Sequence, residues 1–552
     1  MSKSIFITTP EQAAKYRAQG FWKDQTIYQR VRASALVEPE KVAFIAADRR
    51  ITYQQLLETV DRIAGNLLDL DIPAGGVVAV QSKNAAELTF MHLAAQRIGL
   101  LFMPLHDSWR HIEVEHCLKT AEATTLVIPG VYREFDHGAM IAEIRANLPQ
   151  LKNVFVLDGQ PGAGSRDFAE LLQPHRHTGA DLDARTPSAD APATVMLSGG
   201  TTAMSKISVW SSNNVLDALD GYAKATGYTR AERTAAIAPA GTGATGYVYG
   251  LLAPVVLGGT SVILTRWKDP EEAIQLVVEH RCTHGVGIPT QLTLMIPGLE
   301  KRQPEEFTAF KVFTNAGAPL TTDTAEKIER LMGCRIQTLY GATDAGTAIM
   351  TTIEDPQDKR LTRAGRVVPG FDCLLWDGQG QIVPTGEPGE VVWRGPSKSW
   401  GYLGDETSTR NAFTADGFFK SGDLGQFDED GYLRIVGRIK DMILRGGRNV
   451  SPRTSEEPLM THPAVLEAAV AAMPDPVLGE RACAFVMLKP GKALSFDEMI
   501  AFLTERKLAI WQLPERLEVV DDMPRSTGGK IAKARLTALV TEKLKAEGKL
   551  QA

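Results

Sequence analysis

The feature that most constrains this chain is an alternation. Over residues 50–130, helix-length amphipathic stretches such as TYQQLLETVDRIAGNLLDL trade places with short apolar runs such as GVVAVQS and ATTLVIPG. Helices that return the chain to begin another strand in the same direction build a parallel sheet covered on its faces. The rhythm continues through LKNVFVLD (151–158), TAAIAPA (234–240), TSVILT (260–265) and FKVFTNAG (310–317), with EEAIQLVVEHR as an intervening helix. From about residue 371 it gives way to short strands and turns, DCLLWDGQGQIV, GEVVWRG and DEDGYLRIVGR. The segment after GRIKDMILRGGRNVSP predicts helices at THPAVLEAAVAAM and FDEMIAFLTERK around the apolar run CAFVML. The expected fold is therefore α/β. An N-terminal domain, 1–439, would hold parallel-sheet α/β subdomains and a small β-rich subdomain, followed by a small α+β C-terminal domain, 440–552. The Ala/Asp/Pro-rich stretch 179–192 reads as a surface loop.

Composition removes several functional classes. Net charge is -6, from 66 acidic and 60 basic side chains. That balance lacks the basic excess a phosphate backbone demands, so no nucleic-acid partner is expected. Cys117, Cys282, Cys334, Cys373 and Cys483 are scattered, with no C-x-x-C pair. This argues against a disulfide framework or zinc ribbon and for a reducing compartment. The N-terminal MSKSIFITTPEQAAKYRAQG lacks a basic stretch leading into an apolar run, and no apolar stretch is long enough to span a bilayer. A cytoplasmic protein is expected.

Several motifs could carry chemistry. LSGGTTAMSK, Leu197 to Lys206, follows a strand-like run with two glycines, two threonine hydroxyls and a closing lysine. Such a loop offers backbone N–H groups and a cation to polyphosphate oxygens, although it is not a Walker A motif. GTGATG, Gly241 to Gly246, satisfies G-x-G-x-x-G. The following strand TSVILT ends in Arg266 and Trp267, without the acidic residue a ribose would need, so a pocket wall is the better reading than a dinucleotide site. His111-Ile-Glu113-Val-Glu115-His116 looks like a metal set, but on a helix the two histidines lie about 140° apart, which predicts a solvated surface instead. LYGATDAG (339–346), SGDLG (421–425), GRIKD (437–441), LRGGRN (444–449) and PRSTGGK (524–530) are each, alone, turns with charges in them.

Taken together and in this order, SGGTTAMSK, YGATD, SGD, GR-x-KD and P-x-x-x-x-GK resemble the adenylate-forming superfamily of acyl-CoA synthetases, peptide-synthetase adenylation domains and luciferases. The opening YRAQGFWKDQTIYQRV and the SGGTT form are most similar to stand-alone 2,3-dihydroxybenzoate–AMP ligases and cyclohexanecarboxylate-type CoA ligases. The resemblance implies ATP, Mg²⁺ and CoA as reactants or cofactors, and a two-step reaction through an acyl-adenylate. It implies that Lys530 bridges substrate carboxylate and α-phosphate, and that Ser198, Gly199, Gly200, Thr201, Thr202 and Lys206 hold the β- and γ-phosphates. Gly317, Ala318, Pro319, Tyr340, Gly341 and Ala342 would frame adenine, Thr343 would touch the α-phosphate, and Asp344 would hold Mg²⁺. Asp423 would accept the ribose hydroxyls, and Arg438 would add a nucleotide contact. Lys440 takes the hinge position, and Gly446-Gly447 would line the thiol's approach. PRSTGGK is similar to sites modified by lysine acetyltransferases, which would erase the Lys530 cation.

Some residues depart from the family pattern. Ala203 and Ser205 stand where the phosphate loop usually has Gly and Pro, Asp344 replaces Glu, and SPRTSEEP (451–458) departs from P-x-E-I-E. The segment that carries His-Asn in the dihydroxybenzoate ligases aligns here with Thr242 and Gly243, followed by Ala244. Loss of that Asn removes a partner for a ring hydroxyl. A non-hydroxylated cyclic acid, cyclohexanecarboxylate-like ahead of benzoate-like, is therefore the expected substrate. The chain runs 22 residues past Lys530 with no carrier domain, so free CoA is expected ahead of a separate carrier protein. A luciferase-like oxidase and an NAD(P)-dependent oxidoreductase built on GTGATG are the more distant alternatives. Oligomeric state is left open, a homodimer included.

Overall fold

A computed structural model describes residues 8–70, 72–198, 204–525 and 530–550. Two sheets dominate. One contains the parallel strands Val77–Gln81, Leu101–Leu105, Thr125–Ile128, Asn153–Val156 and Pro192–Leu197, with Ile207–Ser211 antiparallel beside the last. The other contains Val42–Ala46, Thr260–Ile263, Arg233–Ala236, His284–Gly287, Val312–Asn315 and Arg335–Ala342, all parallel in that spatial order.

Strand periodicity sets the layers. In Val77–Gln81, Val78 and Val80 point between the sheets, whereas Val77 and Ala79 point outward. The inner layer holds helices Tyr53–Leu68, Ala86–Arg97 and Ser212–Thr226, whose apolar faces meet Phe102 and Phe155 from one sheet and Phe44 and Val286 from the other. Outer helices cover the far faces, His111–Thr120 and His137–Ile144 on the first sheet, Pro270–Glu279 and Thr322–Met332 on the second. Both sheets are thus buried on both sides, which is why their strands read as continuous apolar runs. Thr52 starts the first inner helix with a reciprocal cap to Gln55, satisfying two otherwise orphaned N–H donors.

The β-rich piece is an antiparallel sheet of Asp372–Trp376, Gly389–Arg394, Phe419–Phe427 and Leu433–Arg438. Past the turn Ile439–Asp441, the chain enters a separate sheet containing Ile443–Arg445, Val465–Asp475 and Gly479–Leu488. The sequence-based α/β expectation holds, including the small second lobe.

Three local expectations are corrected. THPAVLEAAVAAM is not a helix: Val465–Asp475 pairs along its length with Gly479–Leu488. Val465, Ala468 and Val470 pack on one face, and Ala469, Ala471 and Met473 on the other, against the helix Lys533–Ala546. Tertiary cover on both faces overrides alanine's helical preference. The stretch 179–192 is not all loop, since Thr178 caps a short helix Gly179–Asp183. SGDLG is not a turn but lies inside the strand Phe419–Phe427.

Asn84 ties the two large sheets together at their carboxyl edge. It follows Val77–Gln81 in one sheet, and its Nδ2 donates to Ala238 O (3.0 Å) and Leu264 O (3.1 Å) beyond two strands of the other. Its Oδ1 accepts Ala240 N at 2.7 Å. The side chain thereby fixes the loop that leads into Gly241–Gly243. Asn84→Ala leaves these buried groups unpaired and is expected to lower unfolding free energy by about 2–3 kcal/mol, measured by urea denaturation.

Candidate active site

In parallel α/β sheets, functional loops gather beyond the carboxyl ends of the strands. Here the first sheet sends out Ser198 directly after Pro192–Leu197. The second sends out Gly241–Gly243, Gly317–Pro319 and the turn Thr343–Ala345. The two loop sets meet. A Cβ on Gly243 would lie 3.5 Å from Thr343 Cγ2 and 3.9 Å from Leu197 O. Gly243 also has φ 65° and ψ −118°, a conformation open essentially to glycine alone. Gly317, at φ +88°, faces Thr245 Oγ1 in the same way. Ala244–Leu252 forms a π-helix rather than the α-helix that the pattern after GTGATG suggests. Pro254, lacking an N–H, denies the segment an α-type bond to Gly250.

The phosphate-loop motif is closed by its own ends. Ser198 N donates to Lys206 O at 2.9 Å, and Lys206 N donates to Ser198 Oγ at 3.2 Å. Gly199, Gly200, Thr201 and Thr202 lie outside the described residues, as does the side chain of Thr242. His116 Nε2 lies 3.1 Å from Ser205 O, so this histidine packs against the loop's end instead of facing only solvent. His111 pairs with Glu143 at 2.9 Å. Among the described residues, no group of three or more His, Cys, Asp or Glu could hold a metal ion.

The turn bearing Asp344 is pinned from behind. Ser208 Oγ donates to Thr343 O at 3.2 Å, and Ser399 Oγ donates to Asp344 O. A Cβ on Gly341 would come within 2.2 Å of Gly346 O, so the turn closes only with glycine there. Asp344 Oδ1 is buried without a hydrogen-bond partner. Burial pushes the carboxyl up to about 6, against the pull of Lys206, the Tyr402 hydroxyl and Lys530. A partnerless buried carboxylate oxygen suits a hard divalent cation. With one carboxylate available, Mg²⁺ would complete its shell from nucleotide phosphates and water.

A second carboxylate lies nearby. Asp423 Oδ2 accepts the Tyr340 hydroxyl at 2.9 Å, and its Oδ1 lies 2.7 Å from Arg438 Nε. The register that places Asp423 opposite Arg438 on adjacent strands makes this pair. Each oxygen keeps a free lone pair for a further donor. Tyr340 packs edge-on to Trp393, and Asn315 Nδ2 holds Ala318 O at 3.2 Å.

Lys530 comes to this charge cluster from the C-terminal lobe. Although the residue as a whole is open to solvent, lost hydration around its ammonium lowers its affinity for a proton. Arg438 and Lys440 push the same way, while Asp423 and Asp344 oppose them. Lys440 is itself lowered, by lost hydration and then by Arg438. The structure thus gathers Lys206, Asp344, Asp423, Arg438, Lys440 and Lys530. It does not add Gly446-Gly447, whose hairpin is engaged within its own lobe through Gly446 N to Leu478 O (2.8 Å).

The AMP-binding enzyme family matches residues 31–403, and the AMP-binding enzyme C-terminal domain matches residues 455–530. The chain belongs to the AMP-binding enzyme family. It is an adenylate-forming acid ligase. It is 30% identical over 544 residues to a medium-chain fatty-acid–CoA ligase of Escherichia coli (strain K12), covering 98% of this chain and 95% of that one. It is 29% identical over 545 residues to a 2,3-dihydroxybenzoate-AMP ligase of Bacillus subtilis (strain 168), covering 98% of each. ATP-bound MatB from Rhodopseudomonas palustris superposes with a TM-score of 0.81 at 26% identity, covering 94% of this chain and 99% of that one. No helix among the described residues is long and apolar enough to cross a membrane.

Sequence reasoning on this ligase missed the groups that hold the site from outside its motifs: Tyr402, Ser208, Ser399 and His116. None sits in a glycine-rich turn, and only the fold brings them near Asp344 and the phosphate loop.

The Asp344 carboxyl makes a stability prediction. Its folded value of about 6 lies above the ordinary 3.8. The folded state therefore holds the proton more tightly, and folding is penalised as pH rises above 3.8, fully so beyond about 6. Asp344→Asn is expected to stabilise the ligand-free enzyme by up to about 3 kcal/mol at pH 8. The two stability curves should converge below pH 4 in a pH series of urea melts.

Proposed function

We propose that this ligase joins a cyclic carboxylic acid without ring hydroxyls to AMP and then transfers the acyl group to CoA. In the first step, a carboxylate oxygen attacks the α-phosphorus as the bond to pyrophosphate breaks. Both partners are anions, so neutralising charge is the largest task of the site. Lys530 would bridge the acid carboxylate and the α-phosphate. Lys206, with Ser198 and the four loop residues through Thr202, would take the outer phosphates, and Thr343 the α-phosphate. Gly317–Pro319 and Tyr340–Ala342 would frame adenine, Asp423 would accept the ribose hydroxyls, and Arg438 would add a nucleotide contact. Mg²⁺ bound by Asp344 supplies further neutralisation of the phosphates. The observation that carries this reading is the convergence of Lys530 on Asp344 and Asp423 from a separate lobe.

For the second step we propose Lys440 as the hinge, with residues 1–439 and 440–552 as the moving bodies. Supporting this, a single turn, Ile439–Asp441, connects the sheet ending at Arg438 to the one beginning at Ile443. Rotation there would withdraw Lys530 and carry Gly446-Gly447, both exposed with φ of 56° and 80°, to the cleft. Backbone without side chains lets a pantetheine thiol pass close by. Lys530→Ala is expected to cut ATP–pyrophosphate exchange by a factor of at least about 10² while leaving thioester formation from supplied acyl-adenylate largely intact. Equal loss in both half-reactions would refute the alternating-lobe reading.

The acid is argued from Gly243 and Ala244, neither of which offers a side-chain donor or acceptor to a substrate hydroxyl. In a pyrophosphate-exchange panel, cyclohexanecarboxylate and benzoate should outperform 2,3-dihydroxybenzoate. Mass analysis with CoA should show the acyl-CoA; a product formed only with a carrier protein would favour the aryl–AMP ligase reading instead.

A further inference from the structure

The hairpin proposed to line the thiol's approach hangs from its lobe by few backbone ties. Ile443–Arg445 and Arg448–Val450 pair with each other, and Arg448–Val450 is the edge of the small-lobe sheet. Towards the rest of that sheet, Ile443–Arg445 meets Gly479–Leu488 in register at one position, Arg445 opposite Gly479. Beyond Arg445 come Gly446 and Gly447, both at positive φ. Two glycines in succession bring no side chains that could pack the tip in place.

Side chains behind the tip make up the difference. Arg445 grips Glu515 at two points: Nε donates to Oε2 at 3.1 Å and Nη2 to Oε1 at 2.8 Å. Glu515 is fixed in its turn. Its N–H donates to Ala482 O at 2.8 Å, and it leads directly into Arg516–Val519, a strand parallel to Gly479–Leu488. Arg481, on Gly479–Leu488, adds a donor from Nη1 to Glu515 Oε1 at 3.2 Å, and its Nε lies 2.5 Å from Asp475 Oδ2. The other Asp475 oxygen accepts Val477 N at 3.0 Å and Leu478 N at 2.7 Å. Leu478 O then accepts Gly446 N at 2.8 Å. The contacts close into a ring that leaves the hairpin through Arg445, passes Glu515, Arg481, Asp475 and Leu478, and returns to it at Gly446.

Two guanidinium groups and two carboxylates balance in this ring, and all four side chains are partly exposed. Ion pairs of that kind add little to stability. A bidentate arginine–carboxylate pair nevertheless fixes orientation, and orientation is what the approach of a thiol demands: misplacing a reacting group by about 1 Å can cost about 10²-fold in rate. The ring lies wholly within the small lobe and shares no residue with the charge cluster of the first step.

We propose that Glu515 is a positioning residue for the thioester-forming step: through Arg445 it holds Gly446-Gly447 in the geometry that passes a thiol to the acyl-adenylate. It takes no part in adenylation. This rests on the reading of that hairpin as the thiol's path.

The test separates the two half-reactions. Glu515→Gln keeps the size of the side chain and breaks the two-point grip. The substrate is the adenylate of the panel acid that best supports pyrophosphate exchange, supplied to the full-length enzyme at saturating CoA. Single-turnover thioester formation is expected to slow by about 10-fold or more in this variant, with ATP–pyrophosphate exchange and melting temperature near wild type. Arg445→Gln should give the same split, and the double variant should be no slower than either single one, because each residue acts through the other. Wild-type thioester formation in Glu515→Gln would overturn the proposal. So would an equal loss in both half-reactions, the mark of a merely structural role, or additive losses in the double variant. If wild type makes no thioester from that adenylate and CoA, the reading of the hairpin falls and this inference with it, while pyrophosphate exchange still reports on adenylation alone.

Discussion

The cleft is organised around a gathering of charge. Lys206, Arg438, Lys440 and Lys530 converge with Asp344 and Asp423, and Asp405 and Asp441 act on Lys206 and Lys440 from beside them. Gathering charges in a poorly hydrated cleft is unfavourable by itself, and the lowered proton affinity of Lys530 and Lys440 expresses that cost. On the proposed reading, a polyanion would relieve it. Asp344, buried and partnerless at Oδ1, is raised towards neutrality by the same loss of hydration.

The large lobe exists to hold these charges still. Parallel strands end together on one edge, so loops that are far apart in sequence become neighbours without any long excursion. Two sheets are needed because the phosphate loop follows one and the Gly243, Gly317 and Asp344 loops follow the other. Asn84 crosses between their edges. The Ser208–Thr343 and Ser399–Asp344 bonds add two more ties at the site itself. Backbone fixed this densely costs no reorganisation when substrate binds, which is where preorganised electrostatics gains its strength. A single turn, Ile439–Asp441, joins the last sheet of the large lobe to the sheet of the small one.

Much of this was legible in the sequence because the relevant signals are local. A parallel strand covered on both faces writes itself as an apolar run, and a tight charged turn as glycine beside a carboxylate or lysine. GVVAVQS, FKVFTNAG and YGATD were readable on those grounds. THPAVLEAAVAAM was not, because alanine suits a helix locally and becomes strand only when Gly479–Leu488 and the last helix cover its two faces. SGDLG likewise reads as a turn, yet Gly425 lies against Val391 and Leu433 inside a sheet, a packing that no window of sequence contains. The π-helix escaped for a related reason, since its register depends on Pro254 and on the aromatic packing of Tyr247 against His92 and Phe102.

The groups missed at the site share a character. Ser208, Ser399 and His116 reach the candidate site through one hydrogen bond each, and Tyr402 through its ring, from segments whose own sequence speaks of ordinary strand and loop. Their influence is a product of geometry: Tyr402 matters because the chain beside Ile207–Ser211 brings it to the strand that follows Lys206. A residue of this kind leaves no spacing rule behind, since Lys206 lies 196 positions away in the chain. Chemistry that is first-hand, a lysine on a phosphate or a carboxylate on a ribose, is written in motifs. Contacts that back such residues from behind are written only in the packing, as where the Tyr402 ring lies against the Lys206 ammonium.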